Sequence, residues 1–420
     1  MKYAVVTFGC RVNQADSLAI EEDLRARGAV AVAPEEAELV VVNTCSVTAT
    51  ADQGARQTIR RVARDNPSAR IVATGCYATR RPDDVGALPN VVRVVPNDSK
   101  PKAIALLSTD FGLTTAARFG DGEGSCGRSI EPGVAGRTAF TLRVQTGCSE
   151  SCSYCIIPST RGRPHSVPVD GVLAEVVRVA SAGFKEIALT GVHLGSYGRD
   201  LQPASSLFEL LQIIQHEMSA TGLLFRVSSL EPMDCTRDIV DLVASSRTFA
   251  PHFHLPLQHA SNRLLTAMCR PYTIEYYAAL VDDIRRRIPH ASIGSDIIVG
   301  FPGESEQDFD ELVEYLEGSP LTHLHVFPYS DRPGTTAATM TGRVPGPVVR
   351  ERGRRVREIS RCLSARFQDA QTGAIRPALT VDDGSMVVTD NYLKLRIGPG
   401  RARNEFLQVR VLSPHVAVVV

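Results

Sequence analysis

Apolar positions along this 420-residue chain change rhythm three times. Up to about residue 118, short apolar runs alternate with stretches of helical spacing. Residues 2–8, 39–42, 71–73 and 91–95 read as strands. Residues 13–27 place Leu18, Ile20 and Leu24 at helical intervals and stop at Gly28, and residues 47–65 read as a second helix ending before Pro67. That alternation predicts a parallel sheet covered by helices. Residues 119–136 are rich in glycine and poor in apolar residues, which marks a linker. Alternation resumes over 137–366, with strands expected at 140–145, 186–190, 225–229, 252–256, 292–299 and 323–327. Six strands with intervening helices predict an open, six-stranded (βα) partial TIM barrel. The end of the chain then shifts to a basic helix over 350–366 and short β-type runs at 386–388, 393–397, 407–411 and 416–420. Residues 367–420 therefore read as a small antiparallel β-barrel, and the chain as α/β overall.

Composition narrows the function classes. With 43% hydrophobic and 22% charged residues the chain can bury large cores, which excludes disorder of the whole. The net charge is zero, so a uniformly basic nucleic-acid coat is excluded. From Thr341 onward, however, 13 Arg and 1 Lys face 7 acids. That local excess fits RNA contact and a solvated structural cap equally well. No run approaches the ~20 apolar residues of a membrane helix, and Met1–Ala4 lead straight into a strand with no signal-peptide pattern. The expectation is a cytoplasmic protein with no membrane partner.

Ten cysteines carry the candidate chemistry. In a reducing compartment they are not expected to form disulfides. Cys148, Cys152 and Cys155 form C-x3-C-x2-C just after an expected strand. Three thiolates on one tight loop suit a [4Fe–4S] cluster with one iron left open. Zinc is the rival, but a structural zinc wants a fourth ligand, and His165 lies ten residues on. Cys10, Cys45 and Cys76 each follow an expected strand of the first domain. Carboxyl ends of parallel strands share one edge, so these three thiols can converge there; the alternative is three unrelated buried thiols. Cys126, Cys235, Cys269 and Cys362 are isolated and read as structural. His252 and His254 share one strand face, and with His259 they read as barrel-lining or substrate-contacting in preference to a further metal site.

The cysteine loop, with Tyr154 before its third cysteine, resembles the radical S-adenosylmethionine (SAM) signature. Ile156-Ile-Pro-Ser-Thr-Arg-Gly162 and the frames Phe8-Gly-Cys-Arg-Val-Asn13, Asn43-Thr-Cys-Ser-Val47 and Thr74-Gly-Cys-Tyr77 extend the likeness to the methylthiotransferases. The resemblance spans the chain. It implies an N-terminal methylthiotransferase domain over 1–118, a radical SAM barrel over 137–366 and a TRAM-like RNA-binding domain over 367–420. It also implies SAM and two [4Fe–4S] clusters, one on Cys148, Cys152 and Cys155 and an auxiliary one on Cys10, Cys45 and Cys76. A methylthio group built on the auxiliary cluster would pass to C2 of a modified adenosine next to the anticodon. The implied partners are a tRNA anticodon loop and an external electron donor such as a flavodoxin system, with no DNA. Motif position implies SAM contacts at Thr190 and Gly191, at Ser229 and Glu231, and at the turn of Gly300, Pro302 and Gly303, which can equally be a turn the fold needs. No catalytic side chain beyond the cluster ligands is implied.

Three segments resemble the type that acts on N6-threonylcarbamoyladenosine at tRNA position 37. They are Thr7-Phe-Gly-Cys-Arg-Val-Asn-Gln14, Leu189-Thr-Gly-Val-His-Leu-Gly-Ser-Tyr-Gly198 and His325-Val-Phe-Pro-Tyr-Ser-Asp-Arg-Pro-Gly-Thr335. The alternatives are the same chemistry on N6-isopentenyladenosine and, more remotely, a non-catalytic iron–sulfur RNA-binding sensor or a zinc-binding RNA module. Arg143, Thr146, His165 and Cys269 depart from residues common in the family, and the C-terminal barrel looks short.

Overall fold

The computed structural model describes residues 1–102, 132 and 138–420. Cys126 and most of the expected linker lie outside the described residues. The N-terminal domain is a sheet of five parallel strands: β1 (Lys2–Thr7), β2 (Val30–Ala31), β3 (Leu39–Thr44), β4 (Arg70–Gly75) and β5 (Val91–Val95), in the order β2-β1-β3-β4-β5. The β3 run Leu-Val-Val-Val is apolar on both faces because both are covered. Val40 and Val42 pack with Ile59 of the helix Ala49–Asp65, while Leu39 and Val41 pack with Ile20 and Leu24 of the helix Arg11–Ala26. The edge strand β2 was not legible in the sequence, because it is only two exposed residues long. Strand order reverses between β1 and β3, and the carboxyl ends at such a switch point form a crevice.

The central domain holds six parallel strands: β6 (Phe140–Arg143), β9 (Glu186–Thr190), β10 (Leu224–Val227), β11 (His252–His254), β12 (Ser292–Val299) and β13 (His323–Pro328). A short antiparallel pair, β7 (Gln145–Thr146) and β8 (His165–Ser166), brackets the cysteine loop. Pairing runs β6-β9-β10 and β11-β12-β13, and a parallel bridge between Phe225 and Phe249 joins the two halves. Among the described residues β6 and β13 do not pair, so the barrel is open on that side. The helix Arg11–Ala26 of the N-terminal domain lies against β6. The helix Gly346–Ala370 buries Val356, Ile359 and Leu363 against the barrel core. Its basic outer face is partly neutralised, since Arg354 pairs with both Glu351 and Glu358.

The last five strands are β14 (Ile375–Val381), β15 (Met386–Thr389), β16 (Lys394–Arg396), β17 (Phe406–Ser413) and β18 (Val416–Val419). They close a barrel in the order β14-β15-β16-β18-β17, around Val387, Leu395, Val409, Val411 and Ala417. All pairs are antiparallel except one parallel contact, Arg396 with Val416. The small barrel plugs the amino-terminal end of the large one. Arg226, 1% exposed, donates to Glu186 at 2.9 and 3.2 Å and to the carbonyls of Asp390 and Thr389 at 2.7 and 3.0 Å. Asn391 donates to His290 O and Asn404 to Gly183 O, fixing two more strand-start loops.

Candidate functional site

Cys10 follows β1 and stands at the N-cap of the helix Arg11–Ala26. Cys45 follows β3, and Cys76 follows β4 and opens the helix Cys76–Arg80. Cys10 and Cys45 thus flank the switch point. Glycines make the approach possible. Gly9 has φ +90, and a Cβ there would stand 2.5 Å from Cys45 Sγ; Gly75 has φ +96, and a Cβ there would overlap Thr44 O. Cys45 and Cys76 are buried, and Cys10 is exposed. The Cys45 thiol is pushed up to about 11, first by burial and then by Cys10 and Cys76.

Cys148, Cys152 and Cys155 share the loop between β7 and the helix Ile157–Arg161, all half-buried. Burial, with Cys152 and Cys148 beside it, pushes the Cys155 thiol up to about 12. Arg270 Nη1 donates to Cys152 Sγ at 3.1 Å and its other Nη pairs with Glu231. Burial works against charging His193, but its bond to Asp234 at 2.8 Å and the adjacent Cys148 raise it to about 10.

Each trio is a set of thiols whose ionised forms repel one another, a donor set that calls for a cationic centre. Tetrahedral zinc would hold its sulfurs about 3.8 Å apart. Among the described residues, the trio whose ligand atoms all lie within 4.8 Å is instead His254, His323 and His325. Three thiolates in each trio suit the three protein-held irons of a [4Fe–4S] cluster.

A buried polar network joins the two trios. Arg161, at the end of the helix after Cys155, reaches Asn13 Oδ1 and, at 3.2 Å, Asp16 Oδ2. Cys76 and Cys10 act on the same guanidinium and raise its pKa against the effect of burial. Asp16 also pairs with Lys100 at 2.7 Å and with Arg143. Asn97 Nδ2 donates to Thr160 O at 2.8 Å and approaches Cys76 Sγ at 3.6 Å. Asp16, Lys100 and Arg270 did not stand out in the sequence. Arg161 and His193 lie inside the runs 156–162 and 189–198, but their partners were illegible there.

The other expected residues fall as follows. Thr190 is buried at the end of β9, and Gly191 lies so near Gln145 that a Cβ would be 3.0 Å from Oε1. Because β10 ends at Val227, Ser229 is exposed, while the buried Ser228 hydroxyl has no protein partner. The Glu231 carboxylate is engaged by Arg270. Gly300 (φ +79) donates its N–H to Glu304, which Arg352 holds at 2.7 Å, and a Cβ at Gly300 would press on Val349. Pro302 is buried, and Gly303 (φ +81) bonds to Gly342 O at 2.8 Å. The turn thus has protein partners of its own. His259 stands apart from His252 and His254, and its Nδ1 accepts from Ser261 N.

The family model described as Uncharacterized protein family UPF0004 matches residues 2–96, and the Radical SAM superfamily model matches residues 142–316. The threonylcarbamoyladenosine tRNA methylthiotransferase MtaB of Aquifex aeolicus is 35% identical over 405 residues, 94% of this chain and 96% of its own. The tRNA-2-methylthio-N(6)-dimethylallyladenosine synthase of Carboxydothermus hydrogenoformans is 33% identical, covering 90% of this chain and 87% of its own. In fold, the chain is similar to the radical S-adenosylmethionine methyltransferase TsrM of Kitasatospora setae, with TM-score 0.57 and 17% identity over 80% of this chain and 76% of that one. The chain belongs to the radical SAM methylthiotransferase family.

Proposed function

We propose that this protein methylthiolates C2 of N6-threonylcarbamoyladenosine at position 37 of tRNA. Cys148, Cys152 and Cys155 hold one [4Fe–4S] cluster, and Cys10, Cys45 and Cys76 hold the second. When bound, the clusters and SAM supply the radical chemistry and the transferred sulfur. The chain's own residues do the holding and the exclusion of water. Arg270 and His193 neutralise the thiolates of Cys152 and Cys148, while Arg161 does the same for Cys76 from across the domain interface. Thr190, Gly191, Ser229, Glu231 and the Gly300–Gly303 turn remain the SAM-contacting set in this reading.

One observation carries the substrate assignment. The run 189–198, which distinguishes the threonylcarbamoyl type, is fixed at the cysteine loop. Gln145 Oε1 accepts from the N–H groups of Val192 and His193, both at 2.9 Å, and Gln145 Nε2 donates to Gly147 O beside Cys148. A residue class that separates substrates belongs beside the reacting centre. The exposed Arg396, Arg401 and Arg410 of the small barrel supply the phosphate contacts, and an external low-potential donor supplies electrons.

The test is nucleoside mass spectrometry of tRNA incubated anaerobically with reconstituted protein, SAM and a reductant. The 2-methylthio derivative of threonylcarbamoyladenosine is expected. Formation of the isopentenyl derivative alone would transfer the assignment to the reading favoured by the Carboxydothermus relative. Iron counts test the ligands: about eight irons should fall to about four in a Cys148/Cys152/Cys155→Ala triple variant.

A further inference from the structure

Strands β11, β12 and β13 lie side by side, and their register sets a second group of ligand-type side chains on one face. His254 pairs with Gly294, Gly294 with His323, and Asp296 with His325. Paired residues of a parallel sheet point to the same side, so three imidazoles and a carboxylate surround a position that carries no side chain. One ring nitrogen of each of His254, His323 and His325 lies within 4.8 Å of the other two.

The hydrogen bonds orient two of these rings. His254 Nε2 engages Asp296 Oδ1 at 2.9 Å, which leaves Nδ1 as the lone pair. Thr322 Oγ1 donates to Ile293 O, so His323 Nδ1 donates to Thr322 Oγ1 at 3.0 Å and leaves Nε2 as the lone pair. Those two nitrogens are the ones above Gly294: a Cβ there would overlap His323 Nε2 and stand 3.0 Å from His254 Nδ1. A carboxylate or hydroxyl behind the far nitrogen of an imidazole is how proteins fix metal-binding histidines. Lone pairs that converge without a donor between them repel, and a cation removes that repulsion.

We propose that His254, His323 and His325 are the protein ligands of a divalent first-row metal ion of the zinc type, with Asp296 and Thr322 orienting the first two. Imidazole-rich sites favour such ions. His325 is exposed, so the fourth coordination position faces solvent, and the ion ties β11 to β13 across Gly294. The site uses none of the six cysteines and does not depend on the tRNA reading.

The test uses the cluster-reconstituted full chain, loaded with zinc(II) near neutral pH, gel-filtered and analysed for metals. About one zinc per chain is expected in wild type, with X-ray absorption showing nitrogen ligands at about 2.0–2.1 Å and no sulfur. His325→Ala removes an exposed ligand at little risk to the fold and should lose the zinc while keeping its iron. Gly294→Ala keeps all three imidazoles but fills the space between them, and should lose the zinc as well. His259→Ala should retain it. Zinc below about 0.2 per chain in wild type, equal zinc in His325→Ala, or sulfur in the zinc coordination shell would each overturn the proposal.

Discussion

Replacing Asp16 by Asn tests whether one buried carboxylate holds the N-terminal domain against the barrel. Its side chain is 1% exposed and carries Lys100 and Arg161, 6% and 3% exposed, together with the more open Arg143. The substitution keeps the shape and removes the anion that the three cations share. Breaking a buried pair on one side costs about 3–5 kcal/mol. The lower end applies, because Lys100, already lowered by burial, can shed its proton. About 3 kcal/mol corresponds to a roughly 150-fold change in the opening equilibrium. A multidomain protein has no single unfolding free energy, so the readout is hydrogen exchange at the amides of β1 and β3, domain by domain. D16N should raise exchange there about 150-fold and leave β12 unchanged. The sign with pH follows from Lys100. A lysine depressed in the folded state adds stability as pH rises from its folded toward its unfolded pKa. Loss of Asp16 depresses it further, so the D16N defect should shrink from pH 7 toward pH 9. The double variant D16N/K100M should recover most of the protection. Less than a tenfold effect in D16N, or no recovery in the double variant, would refute the reasoning.

Three further outcomes are expected. Gly75→Ala forces a left-handed backbone position and a clash with Thr44 O beside Cys76, so iron should fall from about eight to about four per chain, with the Cys148 loop still loaded; an unchanged iron count would contradict the close approach. Arg270→Gln removes a charged donor from Cys152 Sγ and leaves Glu231 unpaired, so the midpoint potential of the barrel cluster should move negative by roughly 60 mV, the equivalent of one charge-assisted hydrogen bond; redox titration by electron paramagnetic resonance reads it. Arg226→Met strands Glu186 and two carbonyls at about 3–5 kcal/mol, so exchange across 389–393 should rise more than 100-fold, and E186Q/R226M should restore part of the loss.

Strands and cysteines were legible for one reason and their polar partners illegible for another. The strands 186–190 and 292–299 were bounded correctly because continuous apolar runs between turn residues leave little choice of frame. Convergence of Cys10, Cys45 and Cys76 followed from topology, since parallel strands put their carboxyl ends on one edge. Burial changes from one residue to the next where β10 ends, and no local spacing showed that Ser228 carries a buried unpartnered hydroxyl while Ser229 is exposed. The histidine trio needed more still. His254 meets His323 only through the register of β12 and the absence of a side chain at Gly294, neither of which any local spacing encodes. Asp16 and Arg161 sit 145 residues apart, and in sequence each resembles an ordinary surface charge.

That interface has a physical consequence for how the two halves of the site assemble. Arg161 ends the short helix that follows Cys155, yet its guanidinium is buried only because Asp16, Asn13 and Cys76 of the other domain surround it. With the domains apart, each side presents charge to water at little cost. Together, one arginine satisfies the carboxylate and the amide oxygen and lies against Cys76. Docking of the two domains therefore depends on the fold of the 148–162 loop, which sets where the Arg161 guanidinium stands against Asn13 and Asp16.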